Sequence, residues 1–261
     1  MTKSVRGFEM AFDDTGGARV PLVLIHGFPL DRTVWAAQAA GLSGVARVIA
    51  PDLRGFGGSA LPDGPVTMDT YAADVAALMD TLRVERAVIG GVSMGGYVAF
   101  AFRRLFPERV RALVLVDTRP GPDSAEAKKA RDDTATLVQA AGSAIVAARM
   151  LPKMLGPGAA PGVVRSLSDL MSRQPAEGIV AALGAMRDRV DSTPDLTRIA
   201  APTLLVSGDK DALVPPAESV AMEKAIAGAR LVLVPGAGHL PNFEAPDAFN
   251  DAVRALLAAV A

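Results

Sequence analysis

The chain alternates between two kinds of apolar pattern. Short continuous runs read as strands buried on both faces: Pro21-Leu22-Val23-Leu24-Ile25, Val45-Ala46-Arg47-Val48-Ile49, Ala87-Val88-Ile89, Ala112-Leu113-Val114-Leu115-Val116, Thr203-Leu204-Leu205-Val206 and Leu231-Val232-Leu233-Val234. Between most of them apolar positions recur at helical spacing, as from Met68 to Leu82, Met94 to Phe106 and Ala217 to Ile226. Val5 to Phe12 alternates like an edge hairpin and leads into the turn Asp13-Asp14-Thr15-Gly16-Gly17. Strands alternating with helices predict an α/β domain on a doubly wound, mostly parallel sheet.

One interval breaks the alternation. From Arg119 to Arg198 there are only helical stretches separated by proline and glycine, at Gly156-Pro157-Gly158, Pro161-Gly162 and Gln174-Pro175. The interval is several times longer than one crossover needs. It is expected to be a helical lid, residues 119–198, lying over the strand ends where such sheets keep their sites. Residues 1–118 and 199–261 then form the core.

Composition narrows the function classes. The chain has 261 residues, is 50% hydrophobic and carries a formal net charge of -1, so it buries a sizeable core. Its charge balance gives no electrostatic case for nucleic acid or an anionic membrane surface. Cysteine is absent, which excludes disulfides, thiolate metal sites and a cysteine nucleophile. Met1 to Gly7 lacks the apolar stretch of a secretory signal, and no apolar run is long enough to span a bilayer. A cytoplasmic protein is expected, with its oligomeric state open.

The segment Gly91-Val92-Ser93-Met94-Gly95 sits between a strand-type run and a helix-type run. A serine between glycines at such a junction is the nucleophile-elbow pattern. The glycines leave room for a sharp turn, and the following helix aims its N–H groups and positive dipole end at the serine. A serine hydroxyl needs a base, and there are two histidines, His26 and His239. His239 follows the last strand run, whereas His26 ends an earlier strand and reads as shaping its loop. The base in turn needs a carboxylate, and Ser207-Gly208-Asp209-Lys210-Asp211 offers two, Asp209 and Asp211. Serine, aspartate, histidine is the chain order of one triad-bearing fold.

With these residues in place, the chain resembles the α/β-hydrolases over nearly its whole length. His26-Gly27-Phe28-Pro29 resembles their oxyanion loop, and Asp52-Leu53-Arg54-Gly55-Phe56-Gly57-Gly58-Ser59 their glycine-rich loop after the fourth strand. Gly208-Asp209-Lys210-Asp211 resembles the acid loop, and Gly238-His239 with Glu244-Ala245-Pro246 the histidine motif. The resemblance implies an eight-stranded α/β-hydrolase fold with the lid between strands six and seven. It also implies Ser93 as nucleophile, His239 as base, Asp211 in preference to Asp209 as the acid, and the backbone N–H groups of Phe28 and Met94 as the oxyanion hole. Asp52 and Arg54 are expected to fix their own loop. Pro29, Trp35, Val214 and Leu240 are candidates for lining the substrate pocket.

A serine in place of aspartate at the elbow argues against haloalkane dehalogenases and epoxide hydrolases and for acyl transfer. The expected substrate is a carboxylic ester with a small-to-medium apolar acyl or alkoxy group, because the lid is neutral and rich in Leu, Met, Val and Ala. No cofactor or metal is expected. Three alternatives stand beside it. One is a 3-oxoadipate enol-lactonase-like enzyme, whose anionic substrate requires a lid arginine in the pocket. The others are a cofactor-free perhydrolase and a hydrolase-fold receptor that senses a small ligand. Leu240 stands where a carbon–carbon bond hydrolase would be expected to carry tryptophan.

Overall fold

The computed structural model describes residues 1–260. It contains one eight-stranded sheet in the order β1-β2-β4-β3-β5-β6-β7-β8. Strands β1 (Thr2–Val5) and β2 (Phe8–Asp14) form an antiparallel edge hairpin, and β2 pairs antiparallel with β4 (Arg47–Pro51). The rest is parallel: β3 (Pro21–Ile25), β4, β5 (Ala87–Val92), β6 (Val110–Val116), β7 (Thr203–Gly208) and β8 (Arg230–Val234). This is the mostly parallel sheet that the apolar runs predict.

The hairpin differs from its sequence reading. Its turn lies at Arg6-Gly7, both at positive φ (46° and 85°), as a two-residue hairpin turn requires. Asp13 and Asp14, expected in a turn, continue β2 opposite Ala50 and Ile49. An ion pair from Arg47 on β4 to Asp14, at 2.6 Å, holds that end of the strand in the sheet.

Side chains alternate across each central strand, so the sheet separates two apolar layers. Val23, Ile25, Ile89, Leu113 and Leu115 face α2 (Met68–Thr81) and α3 (Met94–Leu105). Leu22, Leu24, Val88, Val114 and Val206 face the side of α1 (Ala36–Leu42) and α10 (Pro246–Val260). Burial on both faces is why these strands read as continuous apolar runs.

Between β6 and β7 the chain forms α4 (Ala125–Ala141), α5 (Ala144–Met154), α6 (Pro161–Ser172) and α7 (Ala176–Arg187), then a 3₁₀ turn over Thr193–Arg198. Local signals set the helix ends: Ser124 caps α4 by accepting from the Ala127 N–H at 3.2 Å, and Pro161 opens α6. Helix α4 packs on α7, and α5 on α6.

Polar fasteners tie these helices to loops at the carboxyl ends of the strands. Arg173 reaches Asp31 at 2.7 Å, while Gln174 donates to Asp31 at 3.0 Å and accepts from the Gly57 N–H at 3.0 Å. Gly178 approaches Gly55 so closely that a Cβ on it would overlap the Gly55 carbonyl. The remaining helices are α8 (Pro216–Ala225) and the short α9 (Pro241–Glu244).

Candidate active site

Ser93 is the one residue between the end of β5 and the start of α3. Its backbone lies at φ 53° and ψ −114°, a conformation that costs a non-glycine residue about 1–3 kcal/mol and persists only where the surroundings enforce it. Three bonds do so: the Ser93 N–H donates to the Val116 carbonyl at 2.8 Å, and the Ser93 carbonyl accepts from Thr118 Oγ1 at 2.8 Å and the Gly96 N–H at 2.9 Å. The flanking glycines are steric necessities. A Cβ on Gly91 would strike the Gly95 carbonyl, one on Gly95 the Ile25 carbonyl, and one on Gly96 the side chain of Thr118.

His239 lies between β8 and α9. Its N–H donates to the Met154 carbonyl at the end of α5, at 3.0 Å. The Glu244 carboxylate accepts from the flanking N–H groups of Gly238 (2.9 Å) and Leu240 (3.4 Å) and from Gly156 N–H, beyond α5, at 2.6 Å. Burial pushes the Glu244 carboxyl above its ordinary value, outweighing these three bonds.

The His239 Nδ1 stands 2.7 Å from Asp211 Oδ2, with both side chains buried. Asp211 Oδ1 accepts from the N–H groups of Leu213 (2.7 Å) and Val214 (3.0 Å). Burial alone would raise this carboxyl. The bonds from His239 and the two N–H groups overcome it and hold Asp211 below its ordinary value. An ionised Asp211 can only accept, so Nδ1 carries the proton and the lone pair of the neutral ring is on Nε2. Asp209, the competing acid, instead accepts from the Gly236 N–H at 2.7 Å and ties the neighbouring loop.

His26 is buried and bound at both nitrogens: Nε2 accepts from the Leu53 N–H at 3.0 Å, and Nδ1 donates to the Gly27 carbonyl at 2.8 Å. Burial pushes its imidazole below the ordinary value, so it stays neutral and joins two loops. Asp52 accepts from the Gly58 N–H at 2.7 Å, which fixes its own loop, and from the Arg32 N–H at 2.7 Å, which joins that loop to the turn after β3. Arg54 does something different from the expectation. It reaches out of that loop to Asp74 on α2 at 2.5 and 2.6 Å, because a buried guanidinium needs a carboxylate and the loop's own, Asp52, is already held by Arg32 and Gly58.

Ser93 and His239 open onto one cavity of about 180 Å³, which Phe28 and Val214 also line. Three residues expected there lie elsewhere. Trp35 is fully buried against Phe249, with ring centroids 5.8 Å apart, in the layer that faces α10. Leu240 is fully buried in the same layer, and Pro29 is buried beside Phe28 without lining the cavity.

The cavity wall also holds residues that the sequence reading passed over. Met150 and Met186 supply apolar surface, and Tyr97, Arg119 and Arg131 supply polar groups. Both arginines meet Asp123: Arg119 at 3.2 Å and Arg131 through Nε. Arg189 joins them, donating to Asp123 at 2.6 Å while its guanidinium lies 4.3 Å over the Tyr97 ring. Burial would raise the Asp123 carboxyl, but the arginines win and hold it below its ordinary value. One carboxylate, Asp123, thus faces three guanidinium groups, and Glu218 is a second acid whose charge acts on Arg119. The expected neutral lid is therefore incomplete on this side. The one signal in the sequence was that Arg119 falls just past the end of β6, at the sheet edge that carries Ser93.

The model of the alpha/beta hydrolase fold family matches residues 20–246. A thermophilic esterase from Thermogutta terrifontis, solved with malate bound, is 42% identical, superposes with a TM-score of 0.95, and covers 99% of this chain and 97% of its own. The enol-lactonase from Burkholderia xenovorans is 32% identical, with a TM-score of 0.91 and coverage of 99% and 100%. 3-Oxoadipate enol-lactonase 2 of Acinetobacter baylyi is 31% identical over 92% of this chain and 89% of its own. On sequence, topology and the strained serine turn together, the chain belongs to the alpha/beta hydrolase family.

Proposed function

We propose that this hydrolase cleaves carboxylic esters through an acyl-enzyme on Ser93. The observation that carries the reading is the buried His239–Asp211 pair, 2.7 Å apart, whose histidine lines one cavity with Ser93. Ser93 Oγ attacks the carbonyl carbon while His239 Nε2 takes its proton, and Asp211 stabilises the imidazolium. The tetrahedral oxyanion is held by the N–H groups of Phe28 and Met94, which donate to no backbone carbonyl among the described residues. Collapse expels the alkoxide, which leaves as alcohol with the proton from His239. A water then attacks the acyl-enzyme with His239 again as base, freeing the acid and restoring Ser93. Residues 119–198 act as the lid, and residues 1–118 and 199–261 as the core that carries the three groups. No helix among the described residues is long and apolar enough to cross a membrane.

Arg119 and Arg131 favour a second reading within the same chemistry: an ester or lactone whose acyl or alkoxy part ends in a carboxylate. A guanidinium suits a carboxylate bidentately, and three arginines on Asp123 leave donors to spare. The malate in the Thermogutta esterase and the lactonase relatives support it. The test is steady-state turnover of a p-nitrophenyl acyl ester, a half-ester of a dicarboxylic acid and 3-oxoadipate enol-lactone, with Ser93→Ala as control. Sustained turnover abolished by Ser93→Ala is expected. A single slow turnover with trapped product would make the chain a receptor, and full activity in Ser93→Ala would end the mechanism.

A further inference from the structure

The end of β6 carries a buried carboxyl that the hydrolytic steps leave unused. Asp117 follows Val116 with its backbone at φ 38° and its side chain closed off from solvent. Asp and Asn tolerate that left-handed region better than other non-glycine residues. Its Oδ1 accepts from Ser207 Oγ at 2.7 Å, and the Gly208 N–H lies 3.3 and 3.2 Å from its two oxygens. Its third neighbour is the Asp211 carboxyl, in the loop where the Asp211 N–H closes on the carbonyl of that same Gly208 at 3.2 Å. None of these partners is a cation. Beyond Asp211 lie His239, on Oδ2, and the Glu244 carboxyl, which feels the Asp211 charge.

Two carboxyl groups in contact inside a protein do not both ionise. Asp211 takes the charge, because two backbone N–H groups and the imidazole N–H already donate to it. An ionised carboxylate has about four lone-pair sites, so one of its acceptor positions stays open. Burial, then the neighbouring Asp211 charge, pushes the Asp117 carboxyl well above its ordinary value, and it keeps its proton.

We propose that Asp117 is a positioning residue: its neutral carboxyl donates a hydrogen bond to Asp211 and holds that carboxylate against His239. The next residue, Thr118, donates to the Ser93 carbonyl at 2.8 Å. The dipeptide at the end of β6 thereby sets both flanks of the site, the serine turn and the acid loop. This inference rests on the Ser93–His239–Asp211 reading.

The experiment compares the wild type with Asp117→Gly and Asp117→Asn. Glycine accepts the positive φ without strain and removes the donor. Asparagine keeps a neutral side chain, an N–H donor and the tolerated backbone. With a turned-over p-nitrophenyl ester, Asp117→Gly is expected to lower kcat roughly ten-fold or more at nearly constant KM, and Asp117→Asn to restore most of it. The acid limb of the kcat/KM profile should stay in place in Asp117→Asn. NMR gives a readout independent of turnover, since the only other histidine is His26. The downfield proton of the His239–Asp211 bond should weaken in Asp117→Gly and persist in Asp117→Asn. Three results overturn the inference: wild-type kcat and an intact downfield proton in Asp117→Gly, no rescue by asparagine, or a His239 titration that moves down by half a pH unit or more in Asp117→Asn. The last would mean that an ionised Asp117 had been removed. Absence of ester turnover in the wild type would sink the functional reading instead, and the NMR comparison would still decide the role of Asp117.

Discussion

Thr118 Oγ1 donates to the Ser93 carbonyl at 2.8 Å, and its side chain fills the space where a Cβ on Gly96 would stand. One residue therefore supports the strained serine from below and excludes any larger neighbour beside it. Thr118→Val keeps the volume and removes the donor, which should cost about 1 kcal/mol of stability, the net worth of one hydrogen bond. Gly96→Ala keeps the donor and overfills the turn, which should cost about 1–3 kcal/mol. Urea unfolding of both variants checks the order. A Gly96→Ala protein as stable as the wild type would show that the turn has slack.

Asp209 and Asp211 separate by what they touch. Asp211→Asn places an amide where His239 Nδ1–H needs an acceptor, which promotes the wrong tautomer. The corresponding change in a serine-protease triad lowers kcat about 10⁴-fold, and a loss of roughly 10³–10⁴-fold is expected here. Asp209→Asn removes one charged acceptor from the Gly236 N–H, at 2.7 Å, and should leave kcat within about ten-fold. Initial rates on one ester decide it, and the assignment fails if Asp209→Asn is the more damaging.

The strands were legible because burial on both faces writes itself as unbroken runs of Val, Leu and Ile, with β6 and β7 as the clearest cases. The serine turn was legible because its glycines answer to backbone sterics, which act over a few residues. Asp211 was not separable from Asp209 by spacing, since both lie in one loop and only the tertiary position of His239 distinguishes them. Trp35 read as a pocket candidate because nothing local shows that its ring turns towards Phe249, from the far end of the chain. Arg119 and Arg131 were obscured for a similar reason. Arg131 sits among Lys128, Lys129, Asp132 and Asp133 like any solvated helix face, and what turns it inward is Asp123, buried only after the helices assemble.

The three guanidinium groups around Asp123 make a claim about substrate charge. Arg131→Gln keeps the length of the side chain and removes one guanidinium, while Arg189 still pairs with Asp123 at 2.6 Å. If Arg131 meets a substrate carboxylate, the lost charge-assisted hydrogen bond should cost about 1.5–3 kcal/mol in kcat/KM for a half-ester of a dicarboxylic acid. The loss for a neutral ester of equal length should be much smaller, and added salt should narrow the gap. Equal losses on both substrates would leave Arg131 a structural partner of Asp123 alone.

Buried Asp117 and His26 pull stability in opposite directions with pH. Above the ordinary carboxylate value of 3.8, an unfolded Asp117 ionises while the folded one keeps its proton, so folding becomes less favourable as pH rises. His26 is pushed below its ordinary 6.5, so below that pH the unfolded state binds the extra proton and folding becomes less favourable as pH falls. The two slopes offset in the wild type between these values. Asp117→Asn removes only the first. Its stability relative to wild type should therefore grow with pH from about 4 upward, with a limiting slope of about 1.4 kcal/mol per pH unit, and vanish in stronger acid. Denaturant midpoints of the two proteins from pH 4 to 8 measure the difference. A difference that stays flat with pH would mean that Asp117 ionises in the folded protein as readily as in the unfolded chain.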